Sequence, residues 1–137
     1  MTPLLLLGVA LAGGVGAVAR FSFDAAMQPL LRRLERPGSH GFPWATLLIN
    51  VSGSLVLGML AALAGLAGGA QVLPHEWFAV LGTGFLGGYT TFSTASVDAA
   101  RLIAARRWNA ALGYAGGTAV LSTLAAAAGF WGLALLV

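Results

Sequence analysis

Residues 77–97 form an uncharged stretch carrying Gly82, Gly84, Gly87 and Gly88 together with the hydroxyls of Thr83, Thr90, Thr91, Ser93, Thr94 and Ser96. The run Gly84-Phe-Leu-Gly-Gly-Tyr-Thr-Thr-Phe-Ser-Thr-Ala95 is polar on every face, so it is not a single amphipathic stripe. Two readings compete. In one, the stretch is a continuous helix whose hydroxyls bond back to carbonyls four residues earlier and whose glycines pack against neighbours. In the other, the paired glycines and the threonines after them break the helix and release backbone carbonyls and amides. Free carbonyls suit a small cation, whereas hydroxyls and the positive ends of half-helices suit an anion.

Polar residues elsewhere allow the same chemistry. Asn50 lies within an apolar run, where its amide needs a partner, as helix–helix glue or as part of a polar path. Tyr114, Thr118 and Ser122 recur at i, i+4 and i+8 and share one helix face. That hydroxyl ladder is either packing glue or a track of donors facing Phe92, Ser93 and Thr94. Phe92 is a core residue in a generic helix, but an aromatic edge carries a positive quadrupole and can face an anion. Arg20 either snorkels to an interface or adds positive potential near a vestibule.

Enzyme chemistry has no comparable support. His40 and His75 fall in expected loops without spaced partners, and no phosphate loop, nucleophile elbow or metalloprotease motif occurs. With no cysteine there is neither a disulfide framework nor thiolate chemistry. Asp98 approaches the third segment as a proton-coupling group, a helix-end charge or a salt-bridge partner of Arg101.

The elements that position these residues follow from composition. The chain has 137 residues, of which 58% are hydrophobic and 8% charged, and its mean hydropathy is +0.88. A soluble domain carries about 25% charged residues, so the reading is an all-α integral membrane protein. The high isoelectric point reflects few charges rather than a basic face, which leaves nucleic-acid binding without support. Residues 1–19, 37–75, 77–97 and 108–137 contain no charged residue, and a span needs about 20 apolar residues. The turn-forming Pro37, Gly38, Ser39, Gly41 and Pro43 open the second run, and Gly68, Gly69 and Pro74 close it. Four transmembrane helices are expected, at about 3–24, 43–68, 76–104 and 108–135, in one domain. The midpoint between Glu76 and Arg101 falls at residues 88–89, which places Gly87 to Thr94 near the bilayer centre. The first segment reads as a mature helix rather than a signal peptide, because no basic residue precedes it.

Charge sets the orientation. Arg32, Arg33, Arg36, Arg106 and Arg107 all lie in the 25–42 and 105–107 connections, five against none on the other side. Counting the helix-end residues Arg20 and Arg101 makes seven against none, which puts those connections in the cytoplasm and both termini outside. Gly84-x-x-x-Gly88, Gly113-x-x-x-Gly117 and Ser54-x-x-x-Gly58 suit close helix approach and oligomerisation. Four short helices enclose little volume, so a pathway is expected between subunits.

This constellation resembles the Fluc (CrcB) fluoride channels over essentially the whole chain. The first segment has Gly14-Val-Gly-Ala-Val-Ala-Arg20-Phe, similar to the family's GxGAxxR pattern, and the second has Thr46-Leu-Leu-Ile-Asn50-Val-Ser-Gly53. The third has Gly84-Phe-Leu-Gly87-Gly-Tyr-Thr90-Thr-Phe92-Ser-Thr94, and the fourth has Tyr114 with hydroxyls downstream. The resemblance implies four spans with a broken third helix, in an antiparallel dimer with fluoride pores at the subunit interface. It implies a structural sodium ion held by the carbonyls of Gly87 and Thr90 of each subunit. It places Asn50, Phe92, Ser93, Thr94, Tyr114, Thr118 and Ser122 along or beside the pore and matches Arg20 to the family's first-helix arginine. The implied role is passive export that lowers cytoplasmic fluoride, in a multi-pass bacterial cell-membrane protein.

Two departures stand out. Ala95 occupies the position where the family usually has a second phenylalanine, and the arginine bias is far from the balance of a dual-topology chain. Together they suit one fixed-orientation partner of a heterodimer, with a homodimer as the second option. A proton-coupled four-helix exporter is the alternative class, but it uses a glutamate in its first span, and here no carboxylate precedes Asp24. A purely structural membrane subunit leaves the Thr-Thr-Phe-Ser-Thr string unexplained.

Overall fold

In lipid a backbone must satisfy its own polar groups, and an apolar chain without strand alternation does so as helices. The computed structural model describes residues 2–34, 41–66, 68–69 and 71–136, and every regular element among them is helical. Helices α1 (Pro3–Leu34), α2 (Trp44–Leu63) and α6 (Trp108–Ala134) are long and apolar enough to cross a membrane. Between α2 and α6 run α3 (His75–Phe78), a π-helical stretch (Ala79–Leu86), α4 (Gly87–Tyr89) and α5 (Phe92–Ala104). The chain is a multi-pass membrane protein.

Several boundaries differ from the sequence expectation. The first helix does not close near residue 24 but continues through Pro29 to Leu34. The residues beyond Asp24 are mostly good helix formers, and Gln28 donates to the Asp24 carboxylate one turn away at 3.4 Å. Arg32 and Arg33 therefore belong to α1 rather than to a loop. The turn expected at 37–40, together with Arg36 and His40, lies outside the described residues. The second helix ends at Leu63 instead of continuing to 68, because Gly65 adopts a left-handed φ of +76°. Its amide and that of Leu66 bond back to Ala62 O and Ala61 O, which closes the helix end. The third expected segment, 76–104, is helical on both sides of one interruption: residues 75–89 run without a break to the extended Thr90 and Thr91, and α5 resumes at Phe92. The fourth ends one residue early, at Ala134.

Helix contacts depend on missing side chains. α2 lies against α6 where Gly58 abuts the Ala126 carbonyl and Gly129 abuts the Leu55 carbonyl. α1 lies against the third segment where Gly16 faces the Phe85 carbonyl, Gly88 faces the Gly13 carbonyl and Gly84 faces the Val9 carbonyl. Gly58 and the Gly84/Gly88 pair thus meet neighbours, whereas Gly113 and Gly117 face open space. A methyl group at Gly88 would collide with backbone that cannot swing aside. Gly88→Ala is expected to destabilise the protein by about 1–3 kcal/mol, read as a lowered unfolding midpoint in detergent. A midpoint equal to wild type would show that α1 can move away without loss.

A small core of Leu47, Leu102, Ala111 and the fully buried Tyr114 ties α2, α5 and α6 together at one end. The other faces remain apolar and exposed, including Leu4, Leu11, Val18 and Phe21 on α1, as lipid contact requires.

Candidate functional site

The site grows from one local event, the loss of helical conformation after Tyr89. Thr90 has φ −73° and ψ 159°, and Thr91 has φ −150° and ψ 121°. Thr90 bonds back twice to Leu86 O, through its amide at 2.9 Å and its hydroxyl at 2.8 Å, and so closes the segment above. Thr91 opens the segment below as an N-cap, its Oγ1 accepting the Thr94 amide at 3.2 Å. The same oxygen donates to Thr94 Oγ1 at 3.1 Å, with Ser93 Oγ 3.2 Å away.

Two extended residues in an apolar interior leave backbone groups that need partners. Asn50 on α2 supplies them. Its Oδ1 accepts the Thr91 amide at 2.8 Å, and its Nδ2 donates to the Thr91 carbonyl at 3.0 Å. The carboxamide thus satisfies both backbone groups of Thr91, as a strand neighbour would. Nδ2 carries two hydrogens, and the second is not used by this pair.

The interruption takes the helical partners from four carbonyls, those of Gly87 and Thr90 at its two ends among them. In a continuous helix the amide of Thr91 would bond to Gly87 O, and that of Thr94 to Thr90 O. Here those amides go to Asn50 Oδ1 and Thr91 Oγ1. Gly87 and Thr90 therefore present carbonyl oxygens released from helical pairing, a donor set of hard neutral oxygens that fits an alkali cation. Both residues line the adjoining groove.

That groove has a volume of about 520 Å³ and runs between α2, the interrupted segment and α6. Asn50, Phe92, Tyr114, Thr118 and Ser122 all line it. Among the described residues, Tyr114 Oη, Thr118 Oγ1 and Ser122 Oγ are buried without any hydrogen-bond partner. Helical hydroxyls normally back-bond, as Thr123 does to Ala119 O at 2.8 Å and Ser96 does to Phe92 O at 2.9 Å. On α6, Thr118 and Ser122 keep their donors uncommitted, whereas the Tyr114 hydroxyl faces Asp98 and Thr46.

Other expected site residues are placed differently. Phe92 is 88% exposed, with its ring on the groove wall. Ser93 and Thr94 are exposed and turn toward the Thr91 hydroxyl, outside the groove lining. Arg20 lies on α1, also outside that lining. Ala95 lines the groove. Asp98 is an ion-pair partner of Arg101 at 3.5 Å and accepts from Thr46 Oγ1 at 2.9 Å, which ties α5 to the first turn of α2.

Sequence reasoning missed Thr91. Its signal was a threonine directly before a helix restart, a residue type favoured at N-caps, but that signal is readable only once the restart position is known.

The family model described as CrcB-like protein, Camphor Resistance (CrcB), matches residues 7–130. Among curated proteins, the chain is 52% identical over 131 residues to the fluoride-specific ion channel FluC 1 of Leifsonia xyli subsp. xyli, covering 96% of this chain and 88% of that protein. It is 39% identical over 131 residues to the fluoride-specific ion channel FluC 2 of Mycobacterium bovis, covering 96% and 92%. It is 39% identical over 129 residues to the fluoride-specific ion channel FluC of a Caulobacter species, covering 94% and 92%.

Proposed function

The chain belongs to the CrcB family of fluoride channels, which are not enzymes, and from that premise we propose that it passes fluoride passively through a cell membrane as half of a two-subunit channel. The observation that carries this reading is the α6 face of Tyr114, Thr118 and Ser122 beside one groove, on which the Thr118 and Ser122 hydroxyls are buried without a partner. A small anion holds its water strongly, so a pore must offer closely placed donors in exchange. Residues four apart are about 6 Å apart along a helix, so the ladder offers successive resting places. The second Asn50 amide hydrogen adds a donor at the level of the break, and the Phe92 ring edge adds positive quadrupole. Thr94 Oγ1 accepts from Thr91 and keeps its own hydrogen for the pore mouth, Ser93 beside it donates to Thr91 Oγ1, and Arg20 raises the potential of a vestibule.

The third of four spans consists of α3, the π-helical stretch, α4 and α5 in succession. Its extended residues sit between protein and groove, the setting in which irregular backbone is tolerated at membrane depth. The carbonyls of Gly87 and Thr90 from each of two subunits would hold a structural sodium ion. When bound, that ion supplies the charge that balances the gathered carbonyl dipoles and links the subunits at their centre.

An antiparallel partner closes the groove over Phe92, which a lone subunit leaves 88% exposed. With all seven arginines expected on one side, this chain suits a fixed orientation and an oppositely inserted paralogue. Ala95 in the groove leaves an aromatic for that paralogue to supply. A homodimer is the second reading, favoured by the complete donor ladder of this one sequence. The export direction follows the gradient and lowers cytoplasmic fluoride in the bacterial inner membrane.

Purified chain in liposomes, followed with a fluoride electrode and chloride-loaded controls, tests both points. Fluoride release without chloride release from this chain alone is the homodimer result. Silence alone, with release restored by co-expression with a paralogue, is the heterodimer result. Equal chloride release, or silence in both preparations, would overturn the fluoride reading.

A further inference from the structure

α4 contains only Gly87, Gly88 and Tyr89, between a π-helical stretch and two extended residues. It continues the π-helical stretch without a break, Leu86 and Gly87 both keeping right-handed helical dihedrals, and forms the last turn before the extended Thr90. A last turn that is not continued is held weakly by its own hydrogen bonds, so contacts with other helices help to set its roll and the directions of the Gly87 and Thr90 carbonyls. Tyr89, placed between those two residues, makes such contacts on both sides. Its ring stacks on Phe85 at 6.2 Å and meets the edge of Phe23 of α1 at 6.4 Å. On the other side Gly53 of α2 leaves room for Thr90 and for this ring, since a Cβ there would collide with Thr90 Cγ2 and lie 3.2 Å from Tyr89 Cδ1.

Its hydroxyl reaches α2 as well. Ser52 Oγ donates to Ile49 O at 3.1 Å and lies 3.2 Å from Tyr89 Oη. The single serine hydrogen is committed to Ile49, so the tyrosine O–H is the donor to Ser52. Asn50 and Ser52 thus hold the segment from α2 on either side of Thr90, one through the Thr91 backbone and one through the Tyr89 side chain.

We propose that Tyr89 is a positioning residue, its hydroxyl bond to Ser52 fixing the roll of α4 so that the Gly87 and Thr90 carbonyls converge on sodium. This inference rests on the sodium reading above.

The test is the unfolding midpoint of the full purified protein, titrated with sodium chloride against choline chloride at constant ionic strength. Tyr89→Phe keeps both ring contacts and removes only the hydroxyl. Wild type is expected to be stabilised by sodium, and Tyr89→Phe to need about three- to ten-fold more sodium for half the effect, the worth of one hydrogen bond. Ser52→Ala should shift by the same factor, the double variant no further, and Ser52→Thr, which keeps the acceptor, not at all. A wild type insensitive to sodium overturns the sodium reading itself. A sodium-sensitive wild type with an unchanged half-point in Tyr89→Phe overturns the positioning role alone. So does a Tyr89→Phe protein whose midpoint falls only in the absence of sodium, or additive shifts in the double variant.

Discussion

Asn50→Leu is expected to destabilise the protein by about 2–6 kcal/mol and to abolish fluoride release from liposomes. Leucine has the branched skeleton of asparagine with methyl groups in place of the amide oxygen and nitrogen, so the side chain keeps its shape while losing its polar atoms. What disappears is the pair of hydrogen bonds at 2.8 and 3.0 Å that satisfies both backbone groups of Thr91. Thr91 is buried, with 7% of its surface exposed, so water does not replace them. Each buried group left unsatisfied costs about 1–3 kcal/mol, and two are orphaned together. The chain's cheapest remedy is to return the Thr91 amide to Gly87 O, which rebuilds helix and withdraws that carbonyl. Unfolding midpoint and flux are measured on the same preparation. A leucine variant as stable and as fast as wild type would show that the clamp is dispensable.

Thr118→Val and Ser122→Ala are expected to act in the opposite way, each slowing fluoride release about ten- to hundred-fold while leaving stability equal or higher. Thr118 Oγ1 and Ser122 Oγ have no protein partner, so replacing them with apolar groups breaks nothing in the fold. Removing an unpaired buried polar group is neutral or stabilising. Their worth appears only when an anion is present, because a hydrogen bond to a charged group contributes about 1.5–3 kcal/mol, which is the fold-change stated. Flux from a fluoride-loaded liposome and the unfolding midpoint separate these contributions. Undiminished flux in the double variant would show that the anion does not use the ladder.

The two predictions differ in how visible their residues were. The hydroxyl ladder is a local pattern, since a spacing of four places three side chains on one helix face whatever surrounds them. Asn50 was legible as a polar group in need of a partner, but not as a clamp on Thr91, because the two are 41 residues apart. Thr91 itself carried a capping signal that had no meaning until the helix restart was placed at Phe92. Helix ends were misjudged for a related reason. Asp24 and Gly68 are plausible stops by type, yet α1 continues past the first to Leu34 and Gly65 stops α2 before the second. Charge marks where a chain leaves lipid, which is not where a helix must end. Gly113 and Gly117 have the same spacing as Gly84 and Gly88, but only the second pair meets a neighbour within this chain. Spacing alone does not say what approaches a face.

Composition by itself determined the membrane setting and the helical class, because both depend on sums over twenty or so neighbouring residues rather than on any contact. The motifs in their order determined the family. Tertiary structure alone decided the conformation of Thr90 and Thr91, for which the sequence allowed either a continuous or an interrupted helix. The choice depends on whether the Thr91 amide finds a better acceptor than Gly87 O, and that acceptor comes from Asn50 on another helix. It also decided that Thr118 and Ser122 keep their donors uncommitted and that both share one groove with Tyr114, Asn50 and Phe92. Hydrogen-bond partners are assigned by which helices meet, and no local pattern contains that information.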